Sequence, residues 1–296
     1  MKKFTITLAL TTILLFGSTS CITIIASPCN NDNSADTAIK ASKTYQTRTV
    51  AVENFNAITT SSAIDVIYTQ AEGEPTVEVY APDNIIDHIT VEVKNETLVI
   101  GMEHHTRIKG KCQKIVRISA PAVQRLQSSS ASDIILKNGL TTTGKVVMKA
   151  SSSGDIVLKN GLTTTGNVII KASSGSDING EGIACTDLHI DASSAGDIQL
   201  KEITCTQIEA KASSGGDIKL SGRCEKAIYK TSSAGDINAK KMEAIDVDAT
   251  ASSGGDISCH VSGQLTARTS SSGEISYQGN PSAIDYSPKK GLKKID

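Results

Sequence analysis

Eight acidic side chains recur at one place in a repeated phrase: Asp133, Asp155, Asp177, Asp197, Asp217, Asp236, Asp256 and Glu274. Each follows paired serines and precedes an isoleucine, as in Ser129-Ser130-Ala131-Ser132-Asp133-Ile134 and Ser270-Ser271-Ser272-Gly273-Glu274-Ile275. Carboxylates in this setting could act as an acid/base pair, gather a hard cation, or fix a turn by accepting backbone N–H groups. Catalysis needs a local break where acids and bases converge, whereas these acids recur identically. The calcium-binding solenoid phrase G-G-x-G-x-D-x-U-x places its apolar residue two after the Asp, and here Ile follows at once. The expected role is a structural corner held by an Asx-type bond, with a cation column as the alternative.

The other reactive side chains are less organised. No His/Asp frame accompanies any of the paired serines, so a nucleophilic serine is not expected. Cys185, Cys205 and Cys224 fall eight, eight and seven residues after their acids and should stack; Cys259 takes the slot of Leu200 and Leu220. No CxxC pair marks a metal or redox site, so these four read as small buried fillers, with one Cys185–Cys205 or Cys205–Cys224 bridge as the alternative. His104 and His105 are sequence neighbours whose side chains diverge on an extended chain, and His88, His189 and His260 share no frame. Neither a metal nor a cofactor is expected.

The acids are 22, 22, 20, 20, 19, 20 and 18 residues apart, a period that signals a repeat architecture. Within each repeat the apolar period is two: Leu188, Ile190 and Ala192 alternate with Asp187, His189 and Asp191, and Ile198 and Leu200 flank Gln199. A third apolar position follows at Ile183, Ile203 and Met242. Two clear short strands and a third, separated by Ser/Gly corners, describe one coil of a β-solenoid. Fixing some twenty residues costs about 20–40 kcal/mol in backbone entropy. Five or six buried side chains return about 1.5–3 kcal/mol each. One coil cannot stand alone, so coils must stack. The expected fold is all-β, a single-stranded parallel β-helix with coils of about 20 residues and a more irregular N-terminal β region.

The expected organisation is a signal peptide over 1–20, a polar tether over 21–44, an N-terminal β region or cap over 45–127, the repeats over 128–279, and a basic C-terminal tail over 280–296. Lys2 and Lys3, an apolar stretch and small residues before Cys21 follow the three-part logic of export. Cys21 resembles a lipobox cysteine, which would become a lipidated N-terminus and a membrane anchor. Ser18 stands where the usual Leu would be. Ordinary cleavage nearby and an uncleaved anchor are the alternatives.

Composition narrows the function classes. Lys plus Arg number 30 and Asp plus Glu 31, so no basic excess points to nucleic acid. Aromatic residues are 3% of the chain and Trp is absent, which leaves little for a sugar-stacking groove. The 7 cysteines fall to 6 if Cys21 carries lipid.

Three features carry a family resemblance: Ile64-Asp65-Val66 followed by Tyr80-Ala81-Pro82-Asp83-Asn84, a Leu98-Val99-Ile100 strand, and Ile118-Ser119-Ala120-Pro121 leading into repeated Ser-Ser-x-Gly-Asp-Ile. With them, residues from about 55 to 278 resemble the putative auto-transporter adhesin, head GIN domain family of exported Gram-negative proteins. The resemblance implies a parallel β-helix-like fold at the cell envelope, an adhesin role and no catalytic residues. No run of alternating ten-residue strands suited to a membrane barrel follows the repeats, so self-translocation is not expected. The expected function is that of a lipid-anchored cell-envelope rod, at the outer membrane and periplasmic or surface-facing, with a non-catalytic adhesin-like role that is either binding of a glycan or protein ligand or structural. Self-association through its end coils is an accompanying expectation. A carbohydrate-active β-helix enzyme and an envelope stress sensor are the rival readings.

Overall fold

The computed structural model describes residues 38–287 and 291–295. The expected signal peptide and Cys21 lie outside the described residues. Strands dominate, and the only helical turn among the described residues is a short 3-10 segment at Ile86–His88. The chain winds as a β-solenoid whose strands stack in parallel, coil upon coil.

Each central coil has three sides. The A side comprises strands such as Val146–Ser151, Val168–Ser173 and Asp187–Ser193. After the serine corner comes the B side, with Ile134–Leu136 and Ile156–Leu158, and then the short C side, with Leu140–Thr142 and Leu162–Thr164. Like positions meet in register: Ile134 pairs with Ile156, Leu188 with Ile208, and Ile203 with Gly222. Later coils run B, C and A as one bent strand, as in Asp197–Ser213. A register shift between Leu200 and Ile203 absorbs the shorter C side.

Alternation explains the interior. Along Asp187–Ser193, Leu188, Ile190 and Ala192 are buried while the residues between them are half-exposed. Each fully buried Leu or Ile is worth about 1.5–3 kcal/mol. Large and small side chains compensate between coils: Tyr229 is fully buried and sits between Ala210 below and Ala249 above.

The corner is built the same way in nine coils, from Ser62-Ala63 to Ser271-Ser272, with two consecutive left-handed residues each time. Examples are Ser194 (φ 50) with Ala195 (φ 59) and Ser233 (φ 50) with Ala234 (φ 57). Most corners close on themselves, as Gly196 N–H donates to Ser193 O at 3.0 Å and Gly235 N–H to Ser232 O at 3.1 Å. It also bonds to its neighbour: Ala195 N–H donates to Ser214 O at 3.2 Å, and Ala234 N–H to Ser253 O at 3.1 Å. The following glycine is required by close approach. A Cβ at Gly216 or Gly235 would stand 2.5–2.6 Å from the carbonyl carbon of Ala192 or Ala212 in the coil below. Three corners carry another residue here: the hydroxyls of Thr60 and Ser128 donate to the carbonyl oxygens of Ile64 and Ser132, and Ser176 Oγ donates to Ser173 O at 2.9 Å.

The N-terminal region departs from simple succession. The strands Ala57–Thr60 and Asp65–Gln70 lie between two later segments. Thr97–Met102 and Ile115–Ala120 stack on one side, and Arg125–Ser128 and Ile134–Leu136 on the other. The second coil along the axis is therefore first along the chain. Beyond it, antiparallel strands Ile89–Lys94, Thr76–Pro82 and Tyr45–Val50 close that end.

Two expected boundaries need correction. Part of the expected tether is structured, because Ile39–Lys40 pairs with Ile108–Lys109 and Asn84 Oδ1 accepts Ser42 N–H. The expected basic tail carries another coil: Ala283–Ser287 pairs with the strand before it on the A side, and Leu292–Lys294 does so on the B side. Ile284 and Leu292 occupy the columns of Leu265 and Ile275, an alternation hidden by its brevity and by the flanking lysines.

The corner makes opposite demands on adjacent residues. Gly235→Ala should lower the denaturation midpoint by an amount corresponding to about 2 kcal/mol or more, as for an overpacked core. Ala234→Gly relieves a left-handed alanine and should leave stability equal or raise it by up to about 1 kcal/mol. Denaturant titration of both variants checks the pair, and equal tolerance of both substitutions would contradict this corner geometry.

Candidate functional site

The repeated corner places the acids in one column at the start of the B side. Asp177, Asp197, Asp217, Asp236, Asp256 and Glu274 are successive register partners. Asp133 and Asp155 join them through the pairing of Ile134 with Ile156 and of Ile156 with Ile178. A ninth member, Asp65, lies next to Asp133, since Val66 pairs with Ile134. Its corner phrase is visible in the sequence, but 68 residues separate the two acids.

Two carboxylates one strand spacing apart repel by about 0.9 kcal/mol even in bulk water. The structure compensates differently from the expected Asx bond. Asp65 Oδ1 accepts Asp133 N–H at 3.2 Å, Asp133 Oδ1 accepts Asp155 N–H at 3.2 Å, and Asp155 Oδ1 accepts Asp177 N–H at 2.8 Å. Carboxylates thus bond the next coil, because the turn has already satisfied its own backbone. Further along, Asp197 and Asp217 N–H groups donate instead to the corner carbonyls of Ser176 and Gly196.

Lys114 closes the column at its N-terminal end. In each later corner the serine carbonyl accepts an N–H from the corner below; Ser62 has no such corner below it, and its carbonyl accepts Lys114 Nζ at 2.7 Å. Lys114 is only 8% exposed, and burial lowers its pKa against the pull of Cys112 and Asp65. Nothing in the sequence marks this lysine.

Burial raises the pKa values of Asp65, Asp133, Asp177, Asp217 and Asp256. Neighbouring carboxylates add to the rise at the last four. On the A side, hydrogen bonding from Lys211, with Lys230 assisting, lowers that of Glu209.

The cysteines form a second column. Cys205 pairs with Cys224, and the pairing of Ala184 with Thr204 sets Cys185 beside Cys205. All three thiols are free, as are Cys112 and Cys259. Burial pushes Cys185 and Cys259 up to about 12. A hydrogen bond to Cys224, with burial adding to it, holds Cys205 well above the ordinary thiol range. Cys185, Cys205 and Cys259 are thus inert thiols, while the bond shared with Cys205 lowers the pKa of Cys224 against its burial. His88 pairs with Glu103 at 2.8 Å and His189 with Glu209 at 3.4 Å, on different parts of the surface. Among the described residues no group of three or more His, Cys, Asp or Glu could hold a metal ion.

Comparison with known proteins follows this geometry. A family model described as putative auto-transporter adhesin, head GIN domain matches the chain twice, over residues 54–186 and 162–281. No curated protein matches by sequence. Among solved structures, a putative adhesin from Parabacteroides distasonis shares 20% identity at a TM-score of 0.64, covering 87% of this chain and 100% of its own. A putative adhesin from Parabacteroides merdae shares 18% at 0.63, covering 88% and 99%. A putative lipid binding protein from Parabacteroides distasonis shares 20% at 0.61, covering 88% and 100%. At these identities the likeness is one of fold.

The acid column sets the sign of a pH effect. A carboxyl whose folded pKa is raised favours the folded state when protonated, so stability should rise as pH falls from 7 through the raised values. The lowered pKa of Glu209 acts oppositely only below its ordinary value of 4.5. Chemical denaturation followed from pH 7 down to about pH 4.5, the ordinary value of Glu209, should give a midpoint that rises toward the acid end. Asp177→Asn with Asp217→Asn should raise the pH 7 midpoint and shrink the rise. A midpoint that falls over this range would contradict the column. Lys114→Met, which leaves Ser62 O without its donor, should cost about 1–3 kcal/mol in the same assay.

Proposed function

The chain belongs to the putative auto-transporter adhesin, head GIN domain family, and from that premise we propose an exported, non-catalytic, adhesin-like protein of the cell envelope. The observation that carries this reading is uniformity. The acids recur in one column with the same flanking residues, so no coil offers the unlike acid and base that a hydrolase or lyase needs. A rigid stack of coils supports a different use, the display of repeated polar side chains to an extended partner.

The N-terminal sequence supplies the anchoring part of the proposal. Residues 1–20 direct export, Cys21 takes the lipid, and the chain following it holds the rod at the outer membrane. No described helix is long and apolar enough to cross a membrane. One fold neighbour carries the name lipid binding protein. Here the space between the sides is filled by packed Ile, Leu, Val and Ala, so an enclosed acyl chain has no support and an external ligand is favoured.

A glycan and host-matrix array probed with the whole chain, alongside turnover assays on polyuronides, tests the proposal. Selective retention without turnover is expected. Robust turnover would overturn it.

A further inference from the structure

The outer surface of the B side carries a second charged column, at the edge opposite the acids. In successive coils the residue after the last inward-facing B-side position is Lys137, Lys159, Glu181, Lys201, Ser221 and Lys240. Glu181 pairs with Lys201, and Ser221 with Lys241. Three grooves lie along this edge and share walls. The first, of about 460 Å³, is lined by Arg117, Lys137 and Lys159. A second, of about 200 Å³, adds Lys201 to Lys159, and a third, of about 350 Å³, joins Lys201 to Lys219, Lys240 and Lys241. Together they make one trough spanning about seven strand spacings, on the order of 30 Å.

These cations are unbalanced. The trough includes only two carboxylates, Glu78 and Glu181. All its lysines are exposed, and none makes an ion pair among the described residues. On the A side, by contrast, Lys171 meets Asp191 at 3.2 Å, and Lys211 and Lys230 meet Glu209 at 3.1 and 3.3 Å. The lysines outnumber the interrupting Glu181 in this column, so they repel one another on balance, and a ligand of opposite sign relieves that repulsion. The trough floor adds the outward amides of Asn179, Gln199 and Asn238.

We propose that this trough binds a linear, carboxylate-bearing polysaccharide lying along the solenoid axis. The inference rests on the adhesive reading above and names the ligand class for it. Lysine ammonium groups would meet the uronate carboxylates, and the amides would meet sugar hydroxyls. A single nucleic acid strand would need a row of stacking rings, and no aromatic ring lines these three grooves; nearby, Tyr80 stacks on Tyr45 and is covered by Arg117 at 5.2 Å. A membrane surface would need large apolar side chains to insert beside the lysines. The outward Ile135 and Val157 are half-buried and do not project.

The test uses the whole chain with polygalacturonate as probe, and neutral dextran, DNA and anionic vesicles as comparison arms. Polygalacturonate should bind in preference to all three, and added salt should weaken it. The variant Lys137→Gln/Lys159→Gln/Lys201→Gln should weaken it about tenfold, the loss of three exposed ion pairs. Asp155→Asn/Asp197→Asn should bind at least as tightly as the parent, because it removes like charge from the ligand's side. Absence of polygalacturonate binding, an unchanged affinity in a triple variant of normal stability, or preference for DNA or vesicles would overturn the proposal. If polygalacturonate is ignored while another member of the array is retained, the trough assignment falls and the adhesive reading survives. If the array is blank as well, both fall.

Discussion

Two left-handed residues, followed in six of the nine corners by a glycine pressed against the neighbouring coil, set the architecture of this protein. The turn closes through its own hydrogen bond, which leaves the next N–H to reach the corresponding carbonyl of the neighbouring coil. Corners therefore register one another, and strands that leave identical corners leave in parallel and in phase. Burial of Leu, Ile and Val then follows from the pleat, because alternate residues on such strands must face inward.

Charge distribution is a consequence of the same constraint. A residue fixed relative to the corner is repeated at strand spacing, so any charge there becomes a line of charge. The acid column is tolerated because several of its carboxylates accept the N–H of the next acid in the column, and the residual repulsion shows in the raised pKa values. Lys114 supplies the donor that a missing corner would have supplied. The lysine file on the far edge of the B side has no comparable internal partner. Its compensation has to come from outside, which links the fold to binding without any reactive pocket.

The sequence makes the repeat legible because the acid, the serines and the alternation all recur at the coil period. The parallel stack, the three sides and the acid file follow from that period alone. Where the period fails, so does the reading. Asp65 belongs to the column, but 68 residues of intervening chain hide its neighbour. The order of the first coils depends on long-range antiparallel closure by strands such as Thr76–Pro82, which leaves no local pattern. The last coil was obscured because Ile284 and Leu292 stand among charged residues. Lys114 could not be seen at all, since its partner is a backbone carbonyl 52 residues away.

The most direct test of the stacked-corner account is a set of dipolar distances between spin labels placed pairwise on the acid column in a cysteine-free background. Labels at 155 and 236 should be separated by four strand spacings, about 19 Å, and those at 133 and 274 by seven, about 34 Å. Labels at 65 and 133 should be as close as those at 155 and 177, despite their distance in sequence. Separations that fail to grow linearly with coil number, or a distant 65–133 pair, would contradict the account.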